Sequence, residues 1–156
     1  MRIRQYVYFV LTSRTTTAQQ MTDKLGLAPD EVGVAGARRI NPPMPVAHSW
    51  QLACRAPGLR VDEQIAAVIA RLLPYRERVV ELARDLSRAD PGHGGAKLGV
   101  VRYLDDPDGE IEQLSSPQER FHKLAGQHQL LGWVLEPTVM AFLVDVNAAI
   151  DVDEYS

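Results

Sequence analysis

A single cysteine, Cys54, in 156 residues leaves no intrachain disulfide framework and no cysteine-built zinc cluster. Long apolar runs are missing too: none approaches the ~20 residues of a membrane span. The opening Met-Arg-Ile-Arg-Gln-Tyr-Val-Tyr-Phe-Val-Leu is too short and too polar for a signal peptide, and no small-residue cleavage site follows it. The expectation is therefore a cytoplasmic protein of bacterial type. Positive charge is not in excess, with 17 Lys and Arg against 20 Asp and Glu and a net charge of −3. That argues against a nucleic-acid or anionic-membrane partner. Arginine outnumbers lysine 14 to 3, which reads as the signature of a GC-rich genome rather than of a phosphate site. There is no internal repeat and no low-complexity tract. The remaining composition, 46% hydrophobic and 24% charged with 11 Gly and 10 Pro, fits one ordinary soluble domain over residues 1–156. A chain of this length can bury ~68–70% of the surface its unfolded form exposes, so it needs neither metal nor disulfide to fold.

Hydrophobic periodicity sets the elements. Residues 3–12 alternate as a strand, with Ile3, Val7, Phe9 and Leu11 on one face and Arg4, Tyr6, Tyr8 and Val10 on the other. One of Thr15, Thr16 and Thr17 caps a helix that runs to about Gly26 and buries Ala18, Met21 and Leu25. Six Gly and Pro residues between Leu27 and Ala47 predict a loop, with a short extended piece at Val32–Val34. Residues 48–55 read as a strand with Trp50, Leu52 and Cys54 inward and Ser49, Gln51 and Arg55 outward. Val61, Ile65, Val68, Ile69 and Leu72 mark a helix face, and Tyr75, Val79, Leu82, Ala83 and Leu86 repeat it after Pro74. Proline inside a helix costs ~3 kcal/mol, so a kink or two separate helices are expected there.

A loop at Asp90–Gly95 leads to a strand over about Lys97–Leu104 and a turn at Asp105–Gly109. Residues 105–135 form an insert or a long connection, with a short helix over Phe121–Leu131 and a short strand over Leu131–Leu135 as its candidate elements. Pro137 opens a last helix, and Ile150–Tyr155 closes the chain as a strand with Ile150 and Val152 inward and Asp151, Asp153 and Tyr155 outward. Parallel strands buried on both faces read as continuous apolar runs, whereas the strands at 48–55 and 150–155 alternate. The fold class expected is α+β: a two-layer sandwich, ferredoxin-like in spirit, with a mixed sheet and helices on one face.

Most catalytic motifs fail on spacing. Gly92-His-Gly-Gly-Ala-Lys-Leu-Gly lacks the Gly-Lys-Ser/Thr ending of a phosphate loop and reads as a connector. Asp105–Gly109 has neither end ligand of a calcium loop. The histidines 48, 93, 122 and 128 form no His-Glu-x-x-His, so no metal or cofactor is implied. His48 and Cys54 lie ~20 Å apart along one strand, too far for a nucleophile–base pair. Three features survive. Arg38 and Arg39, in the Gly/Pro-rich loop, could hold a carboxylate or phosphate, or be a plain solvated pair. Asp151 and Asp153, ~6.6 Å apart on one strand face, could act as an acid/base pair, hold a Mg²⁺ ion, or merely blunt an edge strand. The outward faces together form the third: Tyr6, Tyr8 and Arg4, then Ser49, Gln51 and Arg55, then Asp151, Asp153 and Tyr155 could share one uncovered sheet surface. Tyrosine and arginine are enriched at interfaces, although tyrosines can also simply cover apolar sheet.

The strand Tyr6-Val-Tyr-Phe-Val, the helix end Lys24-Leu-Gly-Leu-Ala-Pro29, then Gly36 and Ser49-Trp50-Gln-Leu follow in order. Gly132-Trp-Val-Leu-Glu-Pro-Thr-Val-Met-Ala-Phe-Leu and Ile150-Asp-Val-Asp-Glu-Tyr155 close the pattern. Together these resemble the bacterial domain-of-unknown-function family 4279, with a 105–131 stretch longer than that family's usual connector. The resemblance implies a small α+β domain with no assigned catalytic residues. Some small bacterial families of this kind act as immunity proteins beside toxins, an analogy of fold and context only.

Two main readings follow. In the first, the chain is a binding module that engages a protein or peptide through its open sheet face and the 27–47 loop, toxin neutralisation being one version. In the second, it is a small enzyme tailoring a peptide or metabolite, with Asp151 or Asp153 as base, His48 as proton carrier and Arg38 or Arg39 holding an anion. A homodimer covering its own sheet face is a third.

Overall fold

The alternation at the N-terminus builds β1 (Arg2–Ser13), and its apolar side is fully used: Ile3, Val7, Phe9 and Leu11 are all 2% exposed or less. The computed structural model describes residues 2–37, 45–111 and 131–156. After β1 come α1 (Ala18–Leu25), β2 (Glu31–Gly33), β3 (His48–Cys54), α2 (Val61–Leu72), a 3-10 turn (Leu73–Tyr75) and α3 (Arg76–Ala89). The chain continues with β4 (Gly95–Leu104), β5 (Glu110–Ile111), α4 (Pro137–Asp145) and β6 (Ala149–Tyr155).

The sheet runs β2-β3-β1-β4-β6, with β5 added to β1 off that path. β1 is antiparallel to both β3 (Phe9 opposite Leu52) and β4 (Phe9 opposite Leu98), so β3 and β4 run parallel with β1 between them. The segment β3–α2–α3–β4 is thus a split β-α-β unit, the element that ferredoxin-like folds share. β6 pairs parallel to β4, with α4 in the connection between them, which makes the sheet mixed. α1, α2, α3 and α4 lay their apolar stripes on one face, joining Val7, Phe9, Trp50, Leu52, Leu98 and Val100 in a single core. The expected two-layer α+β sandwich with an open sheet face is what forms.

Local chemistry accounts for the ends. Thr17 caps α1 in a reciprocal box with Gln20, and Gly26 closes that helix in the left-handed conformation. Pro74 is taken up by the 3-10 turn, so α2 and α3 are separate helices. Pro137 sits in the first turn of α4.

Several expectations need correcting. β4 starts at Gly95, not Lys97, because Thr12 of β1 already pairs there. Leu131 is in a turn and residues 132–136 are irregular rather than strand. The helix expected over Phe121–Leu131 lies, apart from Leu131, outside the described residues. Ile150 and Val152 pair with Leu98 and Val100 and so share the helical side, yet they are 43% and 44% exposed. Among the described residues β6 ends the strand path with β4 alone as a paired neighbour, and its apolar side is only half covered.

One polar anchor fixes the sheet against the end of α3. Asp90, buried, accepts from Arg14 Nε at 2.9 Å and from the Arg14 backbone N–H at 2.9 Å. Its own carbonyl accepts from the N–H groups of His93 and Gly94. The Arg14 guanidinium, then the Arg14 amide, hold the Asp90 carboxyl below its usual range. A depressed folded-state value means the stabilisation is present above the unfolded value of about 3.9 and is lost as pH falls through the folded one. Asp90→Asn should therefore lower the thermal midpoint at pH 7 and make the loss of stability below about pH 4 shallower than in the parent. Asp30 and Asp106 are depressed as well, so part of the acid limb persists. Thermal melts between pH 2 and 7 read this out, and identical acid limbs would remove Asp90 from the account.

Candidate functional site

The even-numbered residues of β1 turn away from the core, and strand register decides what meets them. Tyr8 lies opposite Ala53 of β3 and Gly99 of β4, and Val10 lies opposite Gln51 and Lys97. β6 extends the row, with Asp151 beside Gly99, Asp153 beside Val101 and Tyr155 beside Tyr103. Tyr6, Tyr8, Gln51, Arg55, Asp151, Asp153 and Tyr155 thus come together on the open face, although they are drawn from both ends of the chain. Glu31 of β2, opposite Gln51, completes the row on the other side.

Two arginines on this face are each clamped between a carboxylate and a tyrosine ring. Arg55 donates to Glu31 at 2.7 Å while its guanidinium stands 4.1 Å from the centre of the Tyr6 ring. Arg4 donates to Asp106 at 2.7 Å and stands 4.2 Å from the centre of Tyr103, which stacks on Tyr155 at 5.0 Å and 17°. Each cation–π contact at such an exposed site is worth ~0.5–1 kcal/mol. The benefit is mainly orientation: long side chains that would otherwise sample many rotamers are held before any partner arrives.

Between the two clamps, Tyr8 lies across Gly99. A Cβ on Gly99 would fall 2.2 Å from Tyr8 Cζ, so only glycine lets the ring rest flat on the sheet. Burial pushes the Tyr8 phenol up, against the opposing pull of Lys97, so it stays protonated. Burial alone would pull the Lys97 ammonium down; its 2.8 Å bond to Asp151, with Tyr8 nearby, outweighs that and raises it. Lys97 and Asp151 are therefore an ion pair. Asp153 makes no ion pair among the described residues, and its charge raises the Tyr155 phenol.

A family model described as a domain of unknown function, DUF4279, matches residues 3–156. The chain belongs to this family. No curated protein and no solved structure matches it. The match runs through the stretch at 105–131 and takes in all of the strands that build the open face but the first residue of β1. Membership in DUF4279 brings no assigned chemistry.

In this DUF4279 chain the other sequence candidates do not assemble. His48, at the start of β3, shares the helical side with Trp50, and its Nδ1 accepts the Ala35 N–H at 3.2 Å. It pairs with Ser13, whereas Asp151 lines up through Gly99 with Tyr8. Five residues along β1 and three strand spacings put His48 roughly 20 Å from Asp151, on the opposite face. That is beyond what one small substrate bridges. Arg38 and Arg39 lie outside the described residues. Cys54 is a partly buried thiol packed against the core. Among the described residues no three His, Cys, Asp or Glu side chains are grouped so as to hold a metal ion, and no helix is long and apolar enough to cross a membrane.

Sequence reasoning did not single out Lys97, Gly99, Tyr103 or Glu31. For β4 the signal was masked by Val100 and Val101, which interrupt the alternation of Leu98 with Lys97 and Gly99. Both valines are buried, one on each face of the sheet.

Proposed function

We propose that this domain is a binding module whose open sheet face docks a protein or peptide segment. The observation that carries the reading is the pair of carboxylate–arginine–tyrosine clamps flanking Tyr8 on Gly99. Tyrosine and arginine dominate interface hot spots, and side chains ordered in advance lose less entropy on association. The partner is expected to offer apolar groups to the tyrosine rings and carbonyl or carboxylate oxygens to the guanidinium edges. β2 (Glu31–Gly33), the described part of the 27–47 segment that pairs with β3, would border the docked segment. Paired charges on this face and a net charge of −3 disfavour nucleic acid and anionic membrane as partners. Toxin neutralisation in a bacterial cytoplasm is one form of this function, and a lone unpaired cysteine suits that reducing compartment.

Arg55→Ala tests the reading. Once a partner has been identified and purified, the variant should bind it at least tenfold more weakly, ~1.4 kcal/mol. Its melting temperature should stay close to the parent's, because Arg55 is exposed and its bond to Glu31 is a surface pair. Unchanged binding, or a collapse in stability, would mark the clamps as sheet cover only. Light scattering on both proteins separates the rival occupant: a parental dimer that Arg55→Ala turns into a monomer would mean that a second copy covers the face.

A further inference from the structure

A cleft of about 920 Å³ opens at the end of the sheet where β4 begins, enclosed by α3, the 92–96 segment and the turn between α4 and β6. We propose that it binds the phosphate group of a small phosphorylated molecule. Arg84, Ser87 and Arg88 stand at i, i+3 and i+4 on α3, so they share one helix face, and all three line the cleft. His93 joins them from the following turn and Asn147 from the α4–β6 turn. Arg84 makes no ion pair or hydrogen bond among the described residues. Among the described residues Arg88 has only an exposed contact to Asp85 at 3.1 Å, a pairing that a better anion can replace.

The one carboxylate in the lining, Asp145, is already engaged by Arg76, and Lys97 at the mouth is engaged by Asp151. That leaves Arg84, which also borders Glu77 and Glu81 on its other side, as a forked guanidinium in the cleft wall with no ion-pair partner among the described residues, a group that suits two phosphate oxygens. Val80, Ala83 and Val146 supply an apolar side. The volume lies within the ~300–1,000 Å³ of small-molecule pockets, which leaves room for more than the phosphate itself.

The walls are held firmly. The His93 carbonyl accepts from Thr12 at 2.9 Å. Gly94 packs so closely under α3 that a Cβ would fall 2.2 Å from the Leu86 carbonyl oxygen. Gly94 thus answers to packing and Gly92 and Gly95 to their positive φ, and the His93 and Gly94 N–H groups are spent on the Asp90 carbonyl. Recognition must come from side chains rather than from a backbone phosphate loop, in keeping with the missing Gly-Lys-Ser/Thr ending.

Calorimetric titration at pH 7.5 with inorganic phosphate, at constant ionic strength set with chloride, tests the proposal, with acetate as the comparison anion. Saturable phosphate binding is expected, weakened at least tenfold in Arg84→Gln, a change at an exposed residue that should leave the melting temperature unaltered. Arg55→Ala, on the open face, should bind phosphate like the parent, so this site and the docking face stand or fall separately. No saturation, equal binding of acetate, or full binding by Arg84→Gln would overturn it.

Discussion

Replacing Trp50 with alanine is expected to cost ~3–5 kcal/mol of folding free energy, a large share of the ~5–15 kcal/mol that a domain has. Trp50 is completely buried on β3, opposite Leu11 of β1 and Val32 of β2, and it is one of the largest side chains in the core. Truncation would leave a cavity between the sheet and the helices that well-packed neighbours fill only in part. Trp50→Phe should be much milder. The indole N–H is buried with no hydrogen-bond partner among the described residues, and removing such an orphan donor returns part of its ~1–3 kcal/mol desolvation cost. Urea denaturation of the three proteins gives the comparison. A loss below about 1 kcal/mol for the alanine variant would mean that this end of the core relaxes freely.

Trp50 was legible in advance because its strand alternates without interruption, and the same alternation put Ser49, Gln51 and Arg55 on the far side. β1 was legible for the same reason. The paired helices were legible from their 3-4 spacing, with Pro74 marking the joint. What periodicity could not supply was lateral order. Nothing local says that β4 lies next to β1 or that β6 pairs with β4, so Tyr103 could not be assigned to the clamp it completes, nor Lys97 to its pair with Asp151. Gly99 is a further case, since its role exists only because Tyr8 sits across it from another strand. Edge position was legible in the charges of Asp151 and Asp153 but not in the apolar side: Ile150 and Val152 alternate like core residues, yet among the described residues no strand beyond β6 completes their cover. Parity alone already separated His48 from Asp151 and Asp153, because even positions on β3 face the helices. The enzyme reading needed His48 on the same side as one of the two aspartates.

Gly99→Val is expected to reduce partner binding about thirtyfold or more while leaving the fold intact, since losing one anchor at a hot spot costs ~2 kcal/mol or more. The contacts that a Cβ would make are with the outer ring atoms of Tyr8, at 2.2 Å from Cζ, 2.4 Å from Cε1 and 2.6 Å from Oη. Those atoms end a side chain that can swing toward solvent, so the clash is relieved by displacing Tyr8 rather than the backbone. A β-branched residue inside a strand also regains some of the ~0.5–1 kcal/mol that glycine forfeits there. The net effect on the melting temperature should therefore be small. Displacement has its own signature: burial is what raises the Tyr8 phenol, so freeing the ring should bring its titration back toward the ordinary tyrosine value. Spectrophotometric titration then reports whether Tyr8 has moved, independently of any partner. If the phenol shifts and the partner still binds as before, docking does not use this face. If both change together, the flat tyrosine over glycine is the centre of the contact.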